Sequence, residues 1–399
     1  MKSDKTTPNV PTLRFAEFTD EWGKYELSHF VTRITRRNKN NESSLPLTIS
    51  AQYGLVDQIS FFNKTVASVD LSGYYLLYNG DFAYNKSYSN DYAWGAVKRL
   101  DKYEKGCLSS LYFVFRPNDN VDSDYLTHYF ESSKWHKGIS NIAGEGARNH
   151  GLLNMAIDDY FATKHYLPSL PEQKKIAQFF NAITRRIEIQ NKIISKYETL
   201  IKGIYHEFFS KPADYAIKIK DLIIKGKAGG TPSSTVARYY NGDIPFLSIS
   251  DMTKQGKYVS HTEKHISESG IEDSSAWIVP SNSLIFSMYA SVGLVCINTV
   301  PLATSQAMFS MVLKDCRMIE YIYYYLNFFR DTKIHRHIET GTQSNINAET
   351  VRNIEIPFQS NCSKLVETLN SIEKRLNNEK DMLSLLVDLK AYLLSKLFI

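Results

Sequence analysis

The residues that could carry out chemistry come first, and the sequence offers few arrangements of them. Gly226-Lys227-Ala228-Gly229-Gly230-Thr231 has the glycines of a phosphate loop. It lacks the following Lys-Ser/Thr pair that would engage phosphates and Mg²⁺. The sequence has no H-E-x-x-H, no G-x-S-x-G and no G-x-G-x-x-G after a strand. It also has no Asn/Asp-Pro-Pro-aromatic tetrad of the kind that holds a flipped base. His335-Arg336-His337 reads as a solvated basic face after a Tyr-rich helix rather than a metal pair, and Asp158-Asp159 reads as a capped loop or helix start rather than an acid–base pair. Cys107, Cys296, Cys316 and Cys362 lie far apart with no C-x-x-C and no His at zinc-finger spacing, so they read as reduced thiols of a cytosolic protein. No catalytic residue and no metal ligand is assigned.

Cationic clusters are the better lead. The run Arg33-Ile34-Thr35-Arg36-Arg37-Asn38-Lys39 holds four cations and no acid. Lys218, Lys220, Lys225 and Lys227 precede Gly229-Gly230-Thr231-Pro232, read as a flexible turn. Such side chains neutralise phosphates, while Asn, Gln and Arg read base edges. Lys86-Ser87-Tyr88 and Ser287-Met288-Tyr289 follow hydrophobic runs and read as loop tips at strand ends, where recognition usually sits. The nucleic-acid candidates are therefore Arg33, Arg36, Arg37, Lys39, Lys86, Tyr88, Lys225, Lys227, Thr231 and Tyr289. Ordinary solvated surface is the alternative for each.

Composition sets the frame for these sites. The chain has 399 residues, 43% of them hydrophobic and 22% charged, which suits two or three ordinary domains and excludes a largely disordered chain. The net charge of +5 is compatible with a nucleic-acid partner without requiring one. The polar first residues carry no secretory signal, and Leu284–Ile297 is interrupted by Ser287, Ser291 and Gly293, too short for a span of about 20 residues. The expectation is a soluble, cytoplasmic protein with no membrane contact.

Two copies of one plan position the candidates. Leu167–Ser210 aligns without a gap over Ile356–Ile399: Pro168 falls on Pro357, Lys175 on Lys364, Asn181 on Asn370, Arg186 on Arg375 and Phe209 on Phe398. Upstream, Gly146-Ala147-Arg148-Asn149-His150 parallels Gly341-Thr342-Gln343-Ser344-Asn345, adding Arg148, Asn149, Gln343 and Asn345 to the candidates. Leu111–Phe115 parallels Met308–Val312, each leading to a Tyr-rich amphipathic stretch, and Pro46–Ser50 resembles Phe246–Ser250.

Both aligned segments read as long helices. Ile176, Phe180, Ile183, Ile187, Gln190 and Ile194 step by four and three, as do Leu365, Leu369, Ile372, Leu376, Glu379 and Leu383. A sustained 3.5-residue period is a coiled-coil seam, so the apolar members are the helix-pairing residues. Gln190 and Glu379 hold equivalent seam positions, either fixing register or meeting a partner subunit. Pro171-Glu172 suits a first helical turn, and Pro212 stops the helix.

About 38 helical residues make a rod of roughly 57 Å. The few residues between Ser210 and Tyr215 reach at most ~18 Å, which favours antiparallel helices with a globular head at each end, related by a pseudo-twofold axis. Such heads would meet major grooves one or two duplex turns apart, ~34 Å or ~68 Å. The fold class is mixed α/β. It comprises an N-terminal segment 1–24, a head 25–166, a central helix 167–212, a second head 213–355 and a C-terminal helix 356–399.

The stretch Leu167-Pro168-Ser169-Leu170-Pro171-Glu172-Gln173-Lys174-Lys175-Ile176-Ala177 resembles the proline signature opening the central helix of type I restriction–modification DNA specificity (S) subunits. Pro11-Thr12-Leu13-Arg14-Phe15 with Trp22, the Gly341–Asn347 run and the duplicated layout resemble the same family. The second copy, Ile356-Pro357-Phe358-Gln359-Ser360-Asn361, lacks Leu-Pro-Glu-Gln. The resemblance implies two target-recognition domains reading a split duplex DNA site. It implies two methyltransferase (modification) subunits on the helices, which bring S-adenosylmethionine. It also implies restriction/translocase subunits with ATP and Mg, and no cofactor on this chain itself. The rival readings are a stand-alone DNA-modifying or DNA-cleaving enzyme, and a coiled-coil scaffold without nucleic acid.

Overall fold

The computed structural model of the chain describes residues 9–64, 66–89, 92–143, 151–337 and 345–399. It divides into two units, Met1–Asn191 with Asp381–Ile399, and Lys192–Lys380. Two long helices contribute to both.

Unit one opens with β1 (Gly23–Glu26), α1 (Leu27–Phe30) and β2 (Val31–Arg33). β3 (Leu47–Ser50), β4 (Gly54–Asp57), α2 (Gln58–Phe62), β5 (Tyr75–Tyr78), β6 (Phe82–Asn85), β7 (Ala96–Arg99), β8 (Lys105–Leu108) and β9 (Phe113–Pro117) follow. Then come α3 (Ser123–Glu131), α4 (His136–Ile142), α5 (Ile157–Phe161), β10 (Lys164–Leu167) and the long α6 (Leu170–Phe209). The main sheet runs β2-β9-β6-β7, with β3-β4 and β5-β8 as separate pairs. β1 pairs antiparallel with β10, so the head is entered and left through one ribbon.

Unit two repeats the order with insertions. It comprises β11 (Tyr215–Lys218), α7 (Ile219–Leu222), β12 (Ile223–Ala228), β13 (Ile244–Leu247), α8 (Ile249–Gln255), β14 (Tyr258–Val259), β15 (Lys264–Ile266) and α9 (Glu268–Glu272). β16 (Ser283–Ser287), β17 (Val295–Asn298), β18 (Ala303–Thr304), β19 (Met308–Leu313), α10 (Ile319–Thr332), α11 (Ala348–Arg352), β20 (Glu355–Phe358) and α12 (Cys362–Leu397) complete it. Its main sheet runs β12-β19-β16-β17-β14, and β11 pairs antiparallel with β20. The order β12-β19-β16-β17 matches β2-β9-β6-β7 strand for strand, which is the internal repeat seen in the aligned sequences.

The seam ladders are the covered face of the long helices. Ile176, Phe180, Ile194, Leu365, Leu369 and Leu376 are buried, and Ile183, Ile187, Ile372 and Leu383 are half-buried, while most residues between them are exposed. In unit one, Ile176 and Phe180 share a core with Leu394, Leu397 and Phe398, and the Phe180 and Phe398 rings stack at 5.7 Å. In unit two, Lys380 pairs with Glu198 at 2.9 Å and Gln359 donates to the Phe208 carbonyl at 3.1 Å. The end of α12 thus meets the start of α6, and its start meets the end of α6, the antiparallel pairing expected.

Two sequence expectations change. Leu167 and Ile356–Phe358 are strand rather than helix, because a residue before proline is pushed out of the α region. Pro46–Ser50 and Phe246–Ser250 also diverge, since Ser248 forms a capping box with Asp251 and starts α8 where unit one continues β3.

The Leu-Pro-Glu-Gln signature has a physical reason. Arg14 donates twice to the buried Glu172 carboxylate, at 2.8 Å each, and the Trp22 indole adds a third bond at 3.3 Å. Gln173 accepts from the Asp122 amide and donates to the Pro168 carbonyl, tying the head to the first turn of α6. The second copy lacks these residues, and α12 starts only at Cys362, with Asp214 accepting from the Ser360 amide.

Candidate nucleic-acid interface

In each head the cationic strand and the loop tip flank the same central strand. Arg33 lies on β2 and Lys86 follows β6, either side of β9; Lys225 and Lys227 lie on β12 and Tyr289 follows β16, either side of β19. Beyond both loop tips the chain pairs with the segment leading into the closing strands. Ser87 bridges Leu152, and the Tyr88 amide donates to the Gly151 carbonyl at 3.0 Å. Tyr289 bridges Asn345, and the Ile346 amide donates to the Met288 carbonyl at 3.0 Å. The repeat therefore brings equivalent candidates together in each unit. Arg148, Asn149 and Gln343 lie outside the described residues.

Several candidate cations are engaged within the protein. Arg36 pairs with Asp81, donates to the Leu76 carbonyl at 2.7 Å and lies over the Tyr78 ring. Asp81 is fully buried and takes Arg116 as well, at 2.6 Å. Burial pushes its carboxyl above the usual value despite both guanidiniums and the Tyr78 amide. Arg37 donates to the Gly73 carbonyl at 2.8 Å over the Tyr75 ring, and Arg33 reaches Asp158 at 3.5 Å. Lys225 sits 4.0 Å over Trp277, Lys227 donates to the Ser275 carbonyl at 3.2 Å, and Thr231 donates to Gln306. Lys86 lies over Phe113, and burial lowers its pKa. Lys39 is exposed, and among the described residues no ion-pair partner reaches it.

Gly229-Gly230 is not a flexible turn. Both glycines are buried; a Cβ on Gly229 would stand 2.0 Å from the Thr304 carbonyl oxygen and one on Gly230 would stand 2.3 Å from the Ala276 nitrogen. These glycines permit close backbone approach rather than phosphate cradling. His335 to His337 are exposed after α10, and Asp158 and Asp159 fall in the first turn of α5, as read. Among the described residues no group of three His, Cys, Asp or Glu could hold a metal, and no helix is long and apolar enough to cross a membrane.

Sequence reading missed three groups. Tyr53, Phe61 and Phe62 form an exposed aromatic cluster at α2, with no periodic signal to mark it. The other two are polar clamps that hold each head on its long helix. In unit one, Asn181 of α6 donates to Asp124 at 2.8 Å and lies 2.8 Å from the His128 imidazole. Arg99 pairs with the same Asp124 at 2.7 Å, and Lys390 of α12 pairs with Glu131. In unit two, Asn370 of α12 donates to Glu320 at 2.5 Å and accepts from Tyr324 at 3.2 Å. The buried Lys257 donates to Asn370 at 3.1 Å and to Glu373 at 2.7 Å, and lies 3.3 Å from Glu320. The alignment of Asn181 with Asn370 was the available signal.

Residues 214–382 match the family described as Type I restriction modification DNA specificity domain. The Type I restriction enzyme MjaIX specificity subunit of Methanocaldococcus jannaschii is 28% identical over 193 residues, 47% of this chain and 44% of that protein. The HindI specificity subunit of Haemophilus influenzae is 32% identical over 200 residues, 46% of this chain and 43% of that protein. The matched part thus spans less than half the length of these curated relatives. Among solved structures, the type I restriction–modification S subunit from M. genitalium aligns over 98% of this chain and 99% of its own, with TM-score 0.55 and 15% identity. A chain from a structural study of assembly and conformational transition in the type I R-M system aligns over 94% and 97%, with TM-score 0.57 and 18% identity. At these identities the likeness is one of fold, and it extends along nearly the whole chain. Residues 214–382 thus carry the match to a type I DNA specificity domain, and the chain is similar to type I restriction enzyme specificity subunits.

Proposed function

We propose that this chain is the DNA sequence-specificity subunit of a type I restriction–modification complex. Each head reads one part of a bipartite duplex target, and two methyltransferase subunits dock on α6 and α12. Those subunits bring S-adenosylmethionine, and restriction/translocase subunits with ATP and Mg join the same cytoplasmic complex. The chain itself supplies recognition and no catalysis. The observation that carries this reading is the repeat. Two heads with one strand order are clamped to long helices through equivalent asparagines, and the second lies within a DNA specificity domain match.

A domain exchange tests it. Grafting residues 213–355 into a relative and sequencing the resulting methylome should alter one half of the recognised site. A change in both halves, or in neither, would overturn the two-headed reading. Gel shifts with methyltransferase partners should show salt-sensitive preference for one split site; equal affinity for all duplexes would contradict it. Methyl-transfer and cleavage assays on the isolated chain should give no product.

A further inference from the structure

A pocket of about 510 Å³ in unit one lies between the end of α3 and α4 on one side and α5 with β10 on the other. Lys24, Lys134, Lys137 and Lys164 line it, with Asp159 as its single side-chain carboxylate and the last residue, Ile399, on the same wall. Among the described residues none of the four lysines has an ion-pair partner; Lys24 lies 5.3 Å over the Tyr166 ring. Its floor is a closed polar relay. The Tyr129 hydroxyl lies 2.7 Å from His165 Nδ1, His165 Nε2 lies 2.7 Å from Thr163 Oγ1, and that hydroxyl donates to the Tyr160 carbonyl.

Unit two builds the same pocket and gives it a different charge. Its cavity, also about 510 Å³, lies between the end of α10 and α11 with β20. Tyr325 stands where Tyr129 does, but the basic residues are Lys333 and His337, and the acids are Glu349 and Glu355. Lys333 is drawn back over the Tyr325 and Phe328 rings. The strand pairing shifts β20 by two residues against the gapless alignment, so that Ile354 and Ile356 stand in the places of Thr163 and His165.

Four ammonium groups around one concavity repel each other unless an anion joins them, and low-dielectric walls focus the resulting field. Ammonium groups are point-charge partners for phosphate, and the cavity has room for a phosphoester with its attached sugar. We propose that the Lys24–Lys134–Lys137–Lys164 pocket of unit one is a phosphate-binding site with no equivalent in unit two. The phosphate comes either from a nucleic-acid backbone or from a free phosphate compound. The backbone alternative rests on the DNA reading above; the site itself does not.

Isothermal titration of the full chain with inorganic pyrophosphate tests the site without DNA. Lys134→Ala with Lys137→Ala should weaken pyrophosphate binding at least tenfold, while Lys333→Ala should change it less than twofold. Glu349→Lys with Glu355→Lys should create pyrophosphate binding in unit two, a gain that no folding defect can mimic. Unaltered binding by the double lysine variant, or no gain in the reversed-charge variant, overturns the proposal. Duplex titrations of the assembled complex separate the two sources. If the phosphate belongs to DNA, the double variant lowers the salt-dependence slope by about one to two units. If it is a free compound, pyrophosphate affinity falls and the slope stays.

Discussion

The two units hold their heads in one way and dress their pockets in two. In both, an asparagine of a long helix binds the first-turn acid of the amphipathic helix, and a cation completes the group. In unit two these groups are largely withdrawn from water, whereas Asp124 and Asn181 of unit one stay partly exposed, yet the same arrangement recurs in both copies. The pocket linings face solvent, and there lysines in unit one stand against glutamates in unit two. The contacts that hold head to helix keep one arrangement in both units, whereas the charges lining the pockets differ.

The sharpest break of this comparison is Lys257→Met. Removing the ammonium leaves Glu320 and Glu373 without their cation, and unit two should lose about 3–5 kcal/mol. Urea unfolding followed by peptide-resolved hydrogen exchange should place the loss in residues 192–380 while unit one keeps its protection. Next come Asn181→Leu and Asn370→Leu. Each removes one donor from a carboxylate that keeps its cation, Arg99 on Asp124 and Lys257 on Glu320, so each should cost about 1 kcal/mol and lower protection in its own unit only. Equal loss in both units from either change would erase the idea of two independent clamps.

The third test uses pH. Burial holds the His165 imidazole down at about 4, from an ordinary 6.5. Below 6.5 the unfolded chain takes up a proton that the folded chain refuses until about 4. Stability of unit one therefore falls through that window, by about 1.4 kcal/mol for each pH unit. His165→Gln should flatten this slope. Unit two has Ile356 in that place and should show no such term. Glu131 acts lower still: burial opposes its ionisation, but His128 and Lys390 hold its carboxyl at about 2. That contribution is complete above 4.5 and fades only as the pH drops towards 2.

The smallest effect separates two neighbouring cations. Lys39→Ala should lower the salt-dependence slope of duplex binding by about one unit. Arg36→Ala should instead cost about 1 kcal/mol of stability and leave the slope in place, since its guanidinium is committed to Asp81. A slope change for Arg36→Ala and none for Lys39→Ala would reverse their roles.

The architecture was legible where periodicity or repetition carried it. The seam spacing marks the covered face of α6 and α12, and the gapless alignment anticipates two heads of one topology. Local chemistry was legible less often. Nothing in Arg33–Lys39 announces Asp81, which lies far along the chain and reaches Arg36 only once β2, β9 and β6 are paired. The four pocket lysines are drawn from β1, the α3–α4 turn, α4 and β10. Spacing along a sequence cannot reveal a charge cluster assembled from separate elements. Gly229-Gly230 misled for the opposite reason: glycine marks both looseness and tight contact, and only the Thr304 carbonyl beside it tells which.

The pairing of β1 with β10 and of β11 with β20 brings the way into each head alongside the way out. Everything between such a pair is a cassette hung from two adjacent threads. A replacement of any length, provided it ends in matching strands, leaves the helices in register. Whole inserts can thus be traded without rebuilding the frame that carries them.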